Sequence, residues 1–266
     1  MRDEPGVAAA GEVVASPRGD AAFVGVTPAA SPQAQATEDL IHRLRDGAVG
    51  ASPLEVKVGG STAATVDQSE ATADRLPLFV GGVVGLSFLL LLAAFRAPVV
   101  AVKAGIMNLL SIGAAYGVVA TLADGGWAGQ LVGIDTPTPV PPFIPVMMFA
   151  VLFGLSMDYE VFLLSRVREE HARHGDTSRA VSEAIARTAR VITAAALIMV
   201  AVFSAFALSP EVFIKLIGLG LASAILIDAT VVRMVLVPAV MQLLGERNWA
   251  APRWLQRRPV AAPATS

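Results

Sequence analysis

Phe153-Gly154-Leu155-Ser156-Met157-Asp158-Tyr159-Glu160-Val161-Phe162-Leu163-Leu164-Ser165-Arg166 is the stretch on which the reading of this chain turns. Its core, Ser156-Met157-Asp158-Tyr159-Glu160, lies in an apolar run over 143–164, close to the roughly 20 residues a helix needs to cross a bilayer. It carries two carboxylates and a phenol into that run. A carboxylate near the bilayer centre costs on the order of 2.5–3.5 kcal/mol on insertion scales, and such groups mark ion pathways, proton relays or substrate sites. Asp158 is expected roughly 6 Å from the midplane at 1.5 Å rise per residue, out of reach of bulk water. Successive helix positions differ by about 100°, so Asp158 and Tyr159 point to different neighbours and each needs a mate on another helix. Glu160, two residues nearer the inner end, is expected to reach a polar or watery region. Two readings of Asp158 follow: a titrating carboxylate that carries protons, or a fixed hydrogen bond that holds helices together.

Composition sets the solvent. Hydrophobic residues make up 55% of the 266 and charged residues 16%, and the mean hydropathy is +0.63, which excludes an ordinary soluble domain and indicates an integral membrane protein. The net charge of -2 leaves no basic footprint for nucleic acid. With no cysteine, disulfides, thiolate metal sites and cysteine nucleophiles are excluded. His171 and His174 sit in an Arg-rich segment without a third ligand at metal spacing, so they read as solvated loop residues and no metal is expected. No P-loop, Rossmann glycine pattern, zinc-helix motif or nucleophile elbow is present, so neither a cofactor, nor ATP-driven transport, nor covalent enzyme chemistry is expected.

Five runs are long and apolar enough to span, over 76–95, 98–122, 143–165, 191–208 and 212–244. The expected fold class is an all-α polytopic membrane bundle of five transmembrane helices, preceded by a small partial α/β extracytoplasmic segment. Arg96 and Lys103 flank the first short loop, and 166–190 holds six arginines, which makes both loops cytoplasmic by the positive-inside rule. The N-terminus is then outside and the C-terminus inside, with Trp127 at the outer end and Trp249 and Trp254 at the inner end as interfacial anchors. Residues 22–27 read as a strand, 32–45 as a helix and 54–58 as a second strand, a β-α-β fragment. The expected domains are a disordered or truncated start over 1–21, the β-α-β segment over 22–75, the five-helix domain over 76–247 and a cytoplasmic tail over 248–266. The start lacks the basic-then-apolar pattern of a secretory signal, so the chain is expected to begin in the middle of a longer protein. Within 177–190, Ala180, Val181, Ala184, Ile185 and Thr188 form one stripe opposite the arginines; this reads as an amphipathic helix on the inner leaflet, with Asp176 placed to cap its start.

Among the other polar residues in the spans, Asp228 lies near the centre of the last one and is read either as a support for the relay or as an acceptor for a neighbouring helix. Arg233 is about 140° further round an ideal helix and so a poor intrahelical partner. Lys103 and Lys215 read as snorkelling side chains and Asn108 as an interhelical amide. Small residues four apart, Gly81 and Gly85, Gly113 and Gly117, Gly218 and Ala222, suit close helix packing.

The opening run, together with Arg190-Val191-Ile192-Thr193-Ala194-Ala195-Ala196-Leu197-Ile198-Met199, with Asp228-Ala229-Thr230-Val231-Val232-Arg233-Met234-Val235-Leu236-Val237-Pro238-Ala239 and with Asn248-Trp249, resembles the MMPL family. These are the mycobacterial membrane protein large transporters of the resistance-nodulation-division (RND) superfamily, and the resemblance covers nearly everything after Ala21. It implies two tandem repeats of a porter domain and six helices, export of lipids or other hydrophobic molecules driven by protons, a bacterial cell membrane location, and an origin of this chain in the last part of the second repeat. Asp158 and Tyr159 match the family's Asp-Tyr proton relay, whose pairs face each other crosswise between repeats. The implied partners are therefore membrane lipids, a hydrophobic or lipid substrate, protons, and the N-terminal repeat or a second chain. The same superfamily also includes non-transporting membrane modules, and an inactive remnant is the remaining alternative.

Overall fold

The computed structural model describes residues 4–32, 34–49 and 55–249. They fall into two compact units, Met1–Arg75 and Leu76–Ser266.

In the first unit β1 (Val7–Ala10) pairs antiparallel with β4 (Val26–Pro28), and β2 (Val14–Ala15) with β3 (Ala22–Phe23). The start of the chain, expected to be without structure, thus supplies two strands. The reason is the turn between them: Gly19 takes a φ of 69°, and the Ser16 hydroxyl donates to Asp20 Oδ1 at 2.9 Å, which folds Val14 back onto Phe23. The single strand expected over 22–27 is split between β3 and β4. Helix α1 (Gln35–Arg43) passes into a π-helical turn, Leu44–Val49, and its apolar face buries Leu40, Ile41 and Leu44. The second strand of the expected β-α-β fragment does not form over residues 55–58, while Leu54 lies outside the described residues. Its backbone is engaged otherwise: the Val58 carbonyl accepts from Arg45 Nη2 at 3.2 Å, and Val58 packs on Ile41, Ala63 and Val66.

Helix α2 (Ser61–Phe95) begins in the first unit and continues in the second, where α3 (Pro98–Ala123), α4 (Trp127–Gln130), α5 (Phe143–His174), α6 (Thr177–Ser204), α7 (Val212–Ile227) and α8 (Val237–Leu244) follow. A π-helical stretch, Asp228–Leu236, joins α7 to α8 without a break. Five helical segments, counting Val212–Trp249 as one, are long and apolar enough to cross a membrane. Leu86, Leu89, Leu90, Leu197 and Ile198 are each at least 60% exposed, an apolar surface suited to lipid and far too large for water.

Helices α3, α5, α6 and α7 pack around two apolar clusters. One gathers Ile112, Val119, Met148, Phe149, Leu152 and Leu216, where Phe149 stacks on Phe153 at 5.4 Å and meets the edge of Phe79 at 5.6 Å. The other joins Leu91, Val100, Leu164, Val167, Ala184 and Met241. Of the small-residue pairs, Gly218 is the one at a close approach: a Cβ there would stand 2.3 Å from Phe206 Cβ and 2.6 Å from the Phe203 carbonyl. Gly220, which the four-residue spacing misses, would crowd Val119 and Met148 at 2.5 and 2.6 Å. Gly81, Gly85, Gly113 and Gly117 have nothing within 4 Å, so they do not mark helix contacts within this chain.

The loop expected over 166–190 is mostly helix. Helix α5 ends at His174 with Gly175 in the left-handed region at φ 70°, and Asp176 caps α6 by accepting from the Ser178 N–H at 2.9 Å. The amphipathic stripe belongs to α6 itself, which runs on unbroken into its span. Ala180, Val181, Ala184 and Thr188 are fully buried: protein, not the leaflet, covers this face, because it fits the cluster built by Leu164, Val167 and Met241. Trp249, expected as an interfacial anchor, stacks on His171 at 5.1 Å and donates its Nε1–H to Thr177 Oγ1 at 3.2 Å. His171 and His174 are therefore helical rather than loop residues; His171 is packed under Trp249, while His174 is exposed as expected. Trp254 lies outside the described residues, while Trp127 is 75% exposed.

Candidate functional site

Midway along the bundle, polar side chains from three elements meet. Helix α3 brings Asn108, α5 brings Ser156, Tyr159 and Glu160, and the π-helical stretch brings Asp228 and Arg233. Arg233 Nη2 donates to Asp228 Oδ2 at 2.7 Å and lies 3.3 Å from the Ser156 carbonyl. An ideal α-helix would hold positions 228 and 233 apart. The wider turn with i→i+5 hydrogen bonds brings them together, and the Val237 N–H bond to the Val232 carbonyl is one such bond. The expectation that these two residues would make a poor pair is thus corrected by a local change of helix type.

Ser156 joins the parts. Its hydroxyl is 2.7 Å from Asn108 Oδ1 and 3.3 Å from each oxygen of Asp228. One proton faces three acceptors, so it can turn from the amide to the carboxylate. The interhelical amide expected at Asn108 is present in this bond. The guanidinium carbon of Arg233 lies 5.3 Å from the Tyr159 ring centroid, within cation–π range. A cleft of about 20 Å³ is lined by Asn108, Ser111, Ser156, Tyr159, Asp228 and Arg233, among others; that is room for about one water-sized sphere.

Lys103 departs from expectation, while Glu160 reaches a polar region as expected. Glu160 is 5% exposed and Lys103 4%, and among the described residues neither Glu160 carboxylate oxygen nor Lys103 Nζ has a hydrogen-bond partner. Lys103 does not snorkel because it sits on the face of α3 that carries Val100, Ala101 and Ala104 into the core. Glu160 shares a second, smaller cleft with Asn108, Asp228 and Arg233. The interior thus holds two acids and two bases, formally neutral in sum, the pattern that buried charge in a bilayer requires. Lys215 behaves between the extremes: it is part-buried and donates to the Val132 carbonyl at 2.9 Å.

Asp158 lies apart from this cluster. It is exposed on α5, on the same stripe as Met147, Val151, Val161 and Phe162, themselves 37–40% exposed, and among the described residues nothing bonds to its carboxylate. Tyr159, its neighbour in sequence, is half-buried and turned toward Arg233. The two side chains diverge, one out of the bundle and one into it.

The chain matches the model of the MMPL family over residues 3–265. It is 37% identical to the mycolic acid-containing lipids exporter MmpL11 of Mycolicibacterium smegmatis over 260 residues, 97% of this chain and 27% of that protein. It is 43% identical to the heme uptake protein MmpL11 of Mycobacterium tuberculosis over 205 residues, 77% of this chain and 21% of that protein. To the trehalose monomycolate exporter MmpL3 of Mycobacterium tuberculosis it is 40% identical over 204 residues, 77% of this chain and 22% of that protein. The chain therefore spans about a quarter of the length of these curated relatives.

Proposed function

Because this chain belongs to the MMPL family, we propose that it works as the C-terminal part of a proton-driven RND-type transporter of lipids or other hydrophobic molecules, with Asp158 and Tyr159 as its intramembrane proton relay. The observation that carries this reading is the placement of Asp158, a carboxylate on an open apolar stripe at bilayer depth. Left facing lipid it would cost on the order of 2.5–3.5 kcal/mol, so it requires a partner from outside this bundle: the N-terminal repeat or a second chain. A carboxylate so placed loses most of that cost when it takes up a proton or meets a donor, and this makes it a switch between two packings of the interface.

Tyr159 faces the other way, onto Arg233. Asp228 supports the relay by fixing Arg233 against the phenol, and Ser156 ties that pair to α3 through Asn108. A change of charge at Asp158 is thus one residue removed from a buried polar network that links α3, α5 and the π-helical stretch. The lipid cargo rests on the relatives whose names specify mycolic acid-containing lipids and trehalose monomycolate. The work is movement of molecules rather than covalent chemistry, so the protein is a transporter and not an enzyme. The N-terminus is outside and the C-terminus cytoplasmic, the orientation that the arginines of 166–190 favour.

The test uses proteoliposomes made from membranes that hold the chain with its native membrane partners, a fluorescent lipid, and an imposed proton gradient. Asp158→Asn is expected to abolish gradient-driven movement of the lipid while the thermal midpoint of the purified chain stays unchanged, since among the described residues nothing bonds to the Asp158 carboxylate. Undiminished gradient-driven movement with Asp158→Asn would falsify the relay.

A further inference from the structure

At the end of the bundle where α5 gives way to α6, three side chains converge without a hydrogen bond between them. His174 Nε2 lies 3.6 Å from Glu170 Oε2 and 3.6 Å from Glu183 Oε2, and the three donor atoms fall within 4.8 Å of one another. The second oxygen of each acid is already held. Arg187 Nη1 sits 2.9 Å and Arg173 Nη1 3.5 Å from Glu170 Oε1, and Arg179 Nε donates to Glu183 Oε1 at 2.8 Å. Glu170 is a buried side chain, 3% exposed, and its Oε2 has no hydrogen-bond partner among the described residues. A buried carboxylate oxygen in that state is costly, and it points at the imidazole.

A separation of 3.6 Å is too long for an N–H···O hydrogen bond, so a proton on Nε2 satisfies neither acid well. These two separations do match a shared cation, with the two carboxylate oxygens within 4.8 Å of each other. Two ligand atoms each roughly 2.0–2.2 Å from a tetrahedral metal stand about 3.3–3.6 Å apart. We propose that Glu170, His174 and Glu183 form a binding site for a divalent first-row transition metal such as zinc, closing the α5–α6 hairpin across Gly175 and Asp176. One imidazole and two carboxylates are a donor set such ions accept, with the fourth position left to water. The arginines on the outer oxygens hold both carboxylates in orientation. Their positive charge opposes the ion only weakly, because Arg173, Arg179 and Arg187 are 53–61% exposed and screened by salt. The ion enters from solvent past His174 and Glu183, which are 33% and 30% exposed. This site is independent of the transport reading.

The experiment is calorimetric titration of the full, tag-free chain in detergent with zinc chloride after chelator treatment, followed by X-ray absorption at the zinc edge. The expected result is one equivalent of zinc in a shell of one imidazole nitrogen and oxygens, with a raised thermal midpoint. His174→Ala and Glu183→Gln are each expected to weaken binding by at least roughly a factor of 10, while His42→Ala, in the first unit, leaves it unchanged. Both weakening variants keep the Arg187–Glu170 pair, and Glu183→Gln keeps the helix surface nearly isosteric, so folding is preserved. No zinc uptake, or uptake that neither variant alters, overturns the proposal and leaves an ion-pair cluster bridged by a protonated imidazole.

Discussion

Replacing Asp228 with Leu isolates Arg233. The guanidinium is 6% exposed, and once its 2.7 Å bond to Asp228 is gone, it keeps the long contacts to the Ser156 carbonyl at 3.3 Å and hydroxyl at 3.4 Å and the face of Tyr159, none of which replaces a hydrogen-bonded carboxylate. Breaking a buried pair in this way costs about 3–5 kcal/mol, because an uncompensated charge stays in the interior. For a unit of this size that corresponds to a fall in thermal midpoint of about 6–20 °C. Arg233→Met costs less, since Asp228 keeps Ser156 and is 14% exposed. Combining Asp228→Leu with Arg233→Met removes both charges and is expected to recover most of the loss, to within about 1–2 kcal/mol of the parent. The assay is thermal unfolding of the detergent-solubilised chain and the three variants as a double-mutant cycle. Helix type is what the cycle reads. In a regular α-helix the two positions lie about 140° apart and do not couple; in the π-helical stretch they touch. A coupling energy below about 0.5 kcal/mol refutes the pairing.

Three further outcomes follow from local geometry. Gly218→Ala drives a methyl to within 2.3 Å of Phe206 Cβ and is expected to cost about 1–3 kcal/mol, whereas Gly113→Ala, with open space around it, should leave the thermal midpoint in place or raise it slightly. Arg96 holds a φ of 54° between α2 and α3; Arg96→Gly removes that strain and should stabilise the chain by about 1 kcal/mol, read in the same unfolding assay. Asp176→Ala loses the cap on α6 and is expected to cost about 1 kcal/mol, with Asp176→Asn retaining most of it.

The spans were legible because each is a run of about 20 apolar residues, a signal that needs no knowledge of neighbours. The Asp176 cap was legible for a similar reason, as a short polar side chain just ahead of a helical pattern. What escaped depends on partners or on departures from ideal period. Arg233 escaped because 3.6 residues per turn is the ordinary period and the chain adopts a wider helix over Asp228–Leu236. Lys103 escaped because a lysine six residues into a helix looks able to snorkel until its neighbours Val100, Ala101 and Ala104 are seen to face the core. The stripe on α6 is amphipathic whether lipid or protein covers it, and only the packing of Met241 and Leu164 decides. Residues 55–58 have strand-like composition, yet a strand also needs a neighbour, and Arg45 takes the Val58 carbonyl instead. Of the site residues, Asp158 stands out as a carboxylate at depth and Tyr159 through the family resemblance; the Ser156 link between Asn108 and Asp228 has no such signal, since a serine in a span is ordinary.

Helix α5 runs 32 residues without interruption, and it carries no internal hinge. His174 stands 18 positions beyond Ser156, five whole turns, so the two project along nearly the same azimuth about 27 Å apart. A rod with continuous hydrogen bonds transmits torsion instead of absorbing it. Any twist of α5 that lets the Ser156 hydroxyl swing between Asn108 and Asp228 must therefore rotate Glu170 and His174 by the same angle at the far end, and a clasp on those two residues would brake the twist at its origin.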